Sequence, residues 1–466
     1  MWAKLFSPKD ISTYLYYFIF LLLAIFIPVF LWSFNLPVAP LITTSQDMLF
    51  GLFGFTTSFF LLTFTLKTAS NLSKKKETDF DEWLITLLPY LVYFFFLFIV
   101  VEFHAQSWDY DNYDKAAKAI INGSNPYDIG HSLYPPVFAS TLASIYKFAT
   151  QFLPSIGVVG SKANAWLFVF YIHHSLQFLW ASLSYYFSLM LARRLGMSKK
   201  TSTILISLLF LANYPLVRNI HLNQITIFIL FTVILSLVLI SHEKNFWGGF
   251  FIALGGLIKI FPFALVAPLV LMKKWKALSG VIFGSALIFL LNTNFAQNLL
   301  LWKQFVLFYM NFPVERESSL WLRNSSVLSL IRHTVNITHI NDNFVLPIFL
   351  LIAGGIALWF IFRILQRRRL QANIAQPVLG SLMDFSVASI LFAPSAWIHH
   401  YLLAVPLAIF VMASTKKEDS LWVIVSILGI FMMPLFDVYP FSYIRLAGLL
   451  ILLILSSPKR LLIGER

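Results

Sequence analysis

Apolar residues come in long runs along this chain, and polar residues come in short islands between them. The runs cover 13–33, 48–66, 83–101, 164–192, 202–217, 222–241, 277–292, 344–364, 378–396, 399–414, 420–436 and 442–456, and they hold few charges. Most approach the roughly 20 residues that span a hydrocarbon core of about 30 Å. Each is read as a membrane-spanning helix, which gives about twelve spans. The first run is long for a secretory signal and lacks a clear small-residue cleavage site, so it is read as a retained span. One stretch resists the scheme. Phe246 to Met272 is apolar, yet its middle reads Gly255-Gly256-Leu257-Ile258-Lys259-Ile260-Phe261-Pro262. Glycine and proline interrupt the helix beside a charged residue, so a re-entrant hairpin or two half-helices is expected. Non-helical backbone at membrane depth is tolerated only inside protein or against a wet cavity.

The polar islands fall into two groups when the spans alternate. Basic clusters at Lys74-Lys75-Lys76, Arg193-Arg194 with Lys199-Lys200, Lys273-Lys274 with Lys276, Arg367-Arg368-Arg369, Lys416-Lys417 and Lys459-Arg460 share one side. The positive-inside rule makes that side cytoplasmic. The opposite side collects the 102–163 loop, Arg218 to Gln224, the 293–343 loop, Trp397 to His400, and Asp437. Polar and ionisable groups therefore gather at one face, as expected for a site that opens outward from the bilayer.

Composition agrees with the pattern. The chain of 466 residues is 59% hydrophobic and only 12% charged, whereas soluble domains are about a quarter charged. The fold class read here is all-α: one polytopic transmembrane domain with membrane lipids as its surroundings. The net charge of +14 is what short cytoplasmic loops produce under the positive-inside rule, and no nucleic-acid module accompanies it. The absence of cysteine rules out a disulfide framework and a thiolate metal site.

The densest polar island runs from Trp108 to Pro136 and includes Asp109, Asp111, Asp114 and Asp128. Tyr113, Ala116, Ala117, Ile120 and Ile121 recur at helical spacing, which predicts an amphipathic helix over 110–122 lying on the membrane and stopped by Gly123. Pro135-Pro136 opens a second helix toward Thr150. In the 293–343 loop a further surface helix is expected from Leu299 to Phe312.

The ordered set Asp109-x-x-x-Tyr113-x-x-Ala116, Gly123, Asn125-Pro126-Tyr127-Asp128 and Tyr134-Pro135-Pro136 resembles the first large loop of the GT-C glycosyltransferases. It is most similar to glycosyltransferase family 87, the polyprenyl-phosphate-mannose-dependent mannosyltransferases. Asn223-Gln224, the Lys259-to-Pro262 break followed by Lys273-Lys274-Trp275, Arg323-Asn324-Ser325-Ser326 and Ser395-Ala-Trp397-Ile-His399-His400 are similar to it as well. Where that family often carries Gly before the Gln, this chain has Asn223. The resemblance implies a GT-C membrane fold. It also implies inverting transfer of a hexose, mannose or a similar sugar, from a polyprenyl-phosphate donor to a hydroxyl of a glycolipid or glycan acceptor on the outer side. Matched residue by residue, it makes Asp109 the general base.

The residue chemistry fits those roles and leaves alternatives open. An inverting transfer needs a carboxylate beside the attacking hydroxyl and cationic donors for the departing phosphate. Asp109 suits the first need, or it caps the helix it precedes. Asp111 is a substrate-binding candidate or a first-turn charge. Asp109-Tyr110-Asp111 also matches a short metal–nucleotide-sugar signature, but no metal or other cofactor is assigned. Lys259, costly at membrane depth, is a phosphate ligand or half of a structural ion pair. Arg218 and Arg323 are further phosphate candidates, and Asn324 accompanies Arg323. Adjacent helical residues point about 100° apart, so at most one of His399 and His400 faces the site. Gln224 is a sugar ligand or an interhelical hydrogen bonder, and Tyr134 a sugar-stacking ring or an interface aromatic. The rival readings are a transporter or flippase for a lipid-linked or anionic precursor, which would also carry broken helices and a buried Lys, and a non-catalytic envelope-assembly subunit.

Overall fold

The computed structural model describes residues 79–128, 134–155, 162–292, 295–311, 324–369, 375–393, 395–414, 419–433 and 439–458. The expected spans 13–33 and 48–66, Lys74-Lys75-Lys76, Arg323, Lys416-Lys417, Asp437 and Lys459-Arg460 lie outside the described residues. Within them every regular element is helical. In chain order the α-helices are α1 (Asp79–Glu102), α2 (Trp108–Ile121), α3 (Pro136–Ser155), α4 (Lys162–Arg194), α5 (Lys199–Leu211), α6 (Tyr214–His221), α7 (Thr226–Ser241), α8 (Asn245–Ile258) and α9 (Val266–Leu271). They continue with α10 (Trp275–Asn292), α11 (Phe295–Asn311), α12 (Val327–Ile337), α13 (Val345–Arg369), α14 (Ala375–Ser386), α15 (Ala388–Phe392), α16 (Val405–Ser414), α17 (Ser420–Ile427) and α18 (Ile444–Leu455).

Among the described residues, 3 helices are long and apolar enough to cross a membrane by themselves: α1 from Ile85, α10, and α13 with the turn before it. α5 and α6 make a fourth if their 48° bend is taken as one span. The other apolar runs are divided. The run 378–396 becomes α14, α15 and extended backbone at Ala393, and 399–414 becomes a 3-10 turn over Ile398–Ala404 followed by α16. The expected start of a span at Leu222 is displaced to Thr226, because Asn223 takes a left-handed φ of 50° that a helix cannot contain.

The break at Lys259 is as the glycines and proline require. α8 ends at Ile258, Lys259 is extended (φ −149, ψ 122), and a 3-10 turn over Phe261–Leu265 leads into α9. α8 packs hard on α10. A Cβ on Gly249 would sit 1.8 Å from the Ala277 carbonyl oxygen, and one on Gly280 would sit 1.9 Å from that of Phe246. Gly280 and Gly284 form a small-xxx-small face that lets the two backbones meet.

Two helices differ in setting from the sequence expectation. α2 begins at Trp108, because the Ser107 side chain accepts the Tyr110 N–H and caps it; Gly123 ends it at φ 71. Its apolar face does not lie on the membrane. Tyr110, Tyr113, Ala116, Ala117 and Ile120 are buried against α3 and α4, with the Tyr110 ring edge-on to Phe170 and the Tyr113 ring edge-on to Phe138. α12 lies toward the end of the 293–343 stretch, capped by Ser326; the sequence reading did not place it.

One basic cluster also reads differently. Arg367 does not sit in a solvated loop. It and Arg363 are buried and both donate to Asp384 Oδ2, at 2.6 and 2.8 Å. Arg363 also donates to the Leu453 carbonyl and Ser456 Oγ, and Arg367 to the Ser456 carbonyl. Ser456 Oγ returns a bond to Asp384 Oδ1 at 2.8 Å. This cluster ties α13, α14 and the end of α18 together.

Candidate functional site

Asp109 stands in the first turn of α2 and has no capping duty, since Ser107 is the cap. Burial is the largest influence on its carboxylate and raises its pKa above the ordinary carboxylate value; the neighbouring Gln224 side chain, Lys259 and Arg218 pull in the opposite direction. Asp111 is two residues on, about 200° round the helix. It lies on the side of Tyr110 and Asp114 rather than with Gln224 and Lys259. Asp114 pairs with Lys118 one turn later. The two aspartates of the D-x-D pattern therefore do not converge.

Gln224 belongs to a turn that is tied on all sides. Asn223 is in a left-handed conformation, and its side chain adds contacts that a Gly would lack. Asn223 Oδ1 accepts the Ser107 N–H at 2.9 Å, and Ser107 Oγ donates to the Leu222 carbonyl at 2.5 Å. From the middle of α4, His173 Nε2 donates to the Asn223 carbonyl at 2.8 Å. Gln177 Nε2 donates to the Gln224 carbonyl at 3.3 Å. His174 lies 3.1 Å from Asn223 Nδ2 and donates from Nε2 to the Val100 carbonyl at 2.6 Å. The sequence reading missed His173, His174 and Gln177. The signal was present, since polar side chains inside an apolar run are expensive unless they hold something.

Lys259 is buried at the end of α8. Its ammonium donates to Thr226 Oγ1 at 3.0 Å and lies 4.7 Å from the centre of the Tyr134 ring and 5.2 Å from that of Phe261. Tyr134 is thus a wall of the lysine's pocket, and its ring is 5.4 Å from that of Tyr113. Among the described residues no contact ion pair joins Lys259 to a carboxylate.

The two histidines are both buried, with rings 4.3 Å apart, and Lys259 acts on both. His400 Nδ1 accepts the Trp397 N–H at 3.2 Å, and its ring is edge-on to Phe261. His399 is buried, its Nε2 has no partner among the described residues, and both Lys259 and Arg218 act on it. Asn219 fixes the His399 backbone by donating to its carbonyl at 2.9 Å. Asn324 works at one remove. Its Oδ1 accepts the Ala396 N–H at 2.8 Å and the Ser326 N–H at 3.1 Å, which pins the segment leading to His399. Asp109, Gln224, Lys259, Tyr134 and His399 are therefore brought together, with Arg218 beside them. Asp111 and Asn324 stand apart, and no three of His, Asp or Glu gather closely enough among the described residues to hold a metal ion.

The segments that bring these residues together lie largely within a stretch that matches a known family. The model of glycosyltransferase family 87 matches residues 133–394, more than half of the chain. The chain belongs to that family. It is a membrane glycosyltransferase, and it handles a sugar donor and an acceptor. The GT87 match takes in Tyr134, Gln224, Lys259 and Asn324, while Asp109, His399 and His400 flank it. No curated protein is similar enough to this GT87 chain to add to the comparison.

Proposed function

We propose that the protein transfers a hexose, mannose in the first instance, from a polyprenyl-phosphate sugar to a hydroxyl of a glycolipid or glycan acceptor. In this reading the reaction runs on the non-cytoplasmic side and inverts the anomeric carbon. The observation that carries it is the pairing of Asp109 with Lys259: a carboxylate and a buried ammonium sense each other across the pocket without closing into a contact ion pair. The acceptor oxygen attacks the anomeric carbon while its proton passes to the Asp109 carboxylate. The bond from that carbon to the phosphate oxygen breaks, and its electron pair leaves on the phosphate. Lys259, Arg218 and His399 stand where they can receive that charge. Gln224 neighbours the carboxylate, and Tyr134 offers a ring face to the sugar.

Asp109 must be ionised to take the proton. Burial raises its pKa, so transfer is present above that raised value and is lost as pH falls through it. The acid limb of the rate profile lies above the roughly 3.9 of an unperturbed aspartate. The test is transfer from radiolabelled polyprenyl-phosphate mannose to membrane lipids by the purified protein, beside Asp109→Asn. The expected result is transfer by the wild type and a loss of about 10²–10⁴-fold in the folded variant. Undiminished transfer by Asp109→Asn removes Asp109 as the base. No transfer from either mannose or glucose donors overturns the donor class.

A further inference from the structure

Trp108, Asp109 and Asn112 share one strip at the start of α2. Trp108 is the first residue of the helix, and Asn112 lies four residues after it and three after Asp109, so the three side chains leave neighbouring points of one face. Asn112 is only 8% exposed, and its carboxamide oxygen has no hydrogen-bond partner among the described residues. The other buried asparagines among them, Asn213, Asn219, Asn223, Asn298 and Asn324, each make at least one side-chain hydrogen bond. A buried amide oxygen left unpaired is costly, and each instance calls for a reason. Ala116 and Ala119, next along the strip, carry no group that could pair with it. Trp108 is the opposite case, a large ring left 61% exposed immediately before Asp109.

The two flanks of Asp109 differ. On one is Tyr113, whose ring lies 5.4 Å from that of Tyr134, which in turn lies 4.7 Å from the Lys259 ammonium. That is the flank of the cation proposed to meet the phosphate. Asn112 and Trp108 lie on the other, with Asn112 about 100° from Tyr113 round the helix axis. We propose that Trp108 and Asn112 form the subsite for the acceptor sugar: the indole carries the ring of an acceptor hexose, and the Asn112 carboxamide binds its hydroxyls. A carboxamide both accepts and donates hydrogen bonds, and a pyranose offers neighbouring hydroxyls that do the same, while its C–H face suits an aromatic ring. A hexose so held has a further hydroxyl to turn toward Asp109, on the side away from the departing phosphate, as an inverting attack requires. The inference rests on the transferase reading with Asp109 as the base and deepens it on the acceptor side. The sugar ring is the chemistry that a glycolipid headgroup and a free glycan have in common.

The experiment measures transfer from polyprenyl-phosphate mannose by the purified protein with donor and acceptor varied separately. A membrane glycolipid extract is the acceptor in one arm and water-soluble envelope oligosaccharides in the other, which separates the two sources of the sugar ring. Asn112→Leu and Trp108→Leu are each expected to raise the KM for acceptor about tenfold, the worth of one hydrogen bond or one ring contact, and to leave the KM for donor unchanged. Trp108→Tyr restores a ring and is expected to recover most of the loss. Melting in detergent gives a reading without sugar: Asn112→Leu removes an unpaired buried amide and is expected to melt no lower than the wild type. An unchanged KM for acceptor in both leucine variants overturns the subsite, as does a rise confined to the donor. A rise for both substrates with a lowered melt shows a general loss of structure and overturns it too. If Asn112→Leu does not fold, Trp108→Leu, at an exposed position, decides by the same KM comparison. If the wild type transfers from neither mannose nor glucose donors, the donor reading fails and the melt of Asn112→Leu decides, a lower one overturning the subsite and an equal or higher one sustaining it. Transfer that persists in Asp109→Asn refutes the base and leaves the KM comparison standing.

Discussion

Lys259→Met separates a catalytic lysine from a structural one, because the two roles change stability in opposite directions. Burying an ammonium costs several kcal/mol even after relaxation. Against that, Lys259 has a hydrogen bond to Thr226 Oγ1 at 3.0 Å and ring faces at 4.7 and 5.2 Å. The hydrogen bond contributes about 1.5–3 kcal/mol and the ring contacts about 0.5–2 kcal/mol. No contact ion pair with a carboxylate adds to these among the described residues. The favourable contacts at best match the desolvation cost. Methionine fills nearly the same volume with no charge, so Lys259→Met leaves stability unchanged or raises it by up to about 3 kcal/mol. Activity moves the other way. Losing one preorganised donor to developing charge costs about 10²–10³-fold in kcat. Intrinsic-fluorescence melting in detergent reads the first quantity, and transfer from the lipid-phosphate sugar reads the second. A variant that melts several degrees lower and still transfers sugar at the wild-type rate would show Lys259 to be structural, and would refute the assignment.

The buried cluster on α13 and α14 gives the contrasting case. Asp384→Asn leaves the guanidiniums of Arg363 and Arg367 facing each other without a carboxylate, and it is expected to cost about 3–5 kcal/mol, read as a lowered melting temperature; an unchanged melt contradicts the account of that cluster. At Asn223, φ is 50°, so Asn223→Gly keeps the backbone and loses the side-chain bonds to Ser107, His174 and the Ile220 carbonyl, whereas Asn223→Ala also adds about 1–2 kcal/mol of left-handed strain. Transfer rates and melting temperatures should both fall in the order wild type, Gly, Ala, and an alanine variant equal to the glycine one would show that the turn's conformation does not matter.

What could be read from the sequence was whatever has a local cause. The break at Lys259 follows from Gly255, Gly256 and Pro262 within a few residues of it. The stop at Gly123 follows from one residue's freedom at positive φ, and Asp109 stood out as an acid between apolar runs. What could not be read depends on partners distant in the chain. Tyr113 and Gln224 are 111 residues apart, and nothing in either neighbourhood announces the bond. The amphipathic face of α2 was visible, but periodicity cannot say whether lipid or protein covers it. Here Phe138 and Phe170 do. Arg367 looked like its neighbours Arg368 and Arg369 because positive-inside counting treats all arginines alike. Only the position of Asp384 on the next helix distinguishes it. That His400 would accept the Trp397 N–H could not be read from the adjacent pair either.

The buried cations themselves show how structure and site differ in this fold. Arg363 and Arg367 share a carboxylate and spend further donors on Leu453 and Ser456. Arg445 donates to the Met433 carbonyl and stacks over the Tyr214 ring at 5.6 Å. Arg363 and Arg367 are answered by a carboxylate and further acceptors that the protein itself supplies, which is what a lasting structural role demands of a buried charge. Lys259 is answered by one hydroxyl and two rings. An ammonium has three donors, and rings neutralise charge poorly. The carboxylate nearest in influence, Asp109, makes no contact ion pair with it among the described residues. Held apart, the two groups would leave a carboxylate and a cation open to the same site, and the proposed transfer, in which a phosphate leaves as a hydroxyl loses its proton, would use both at once.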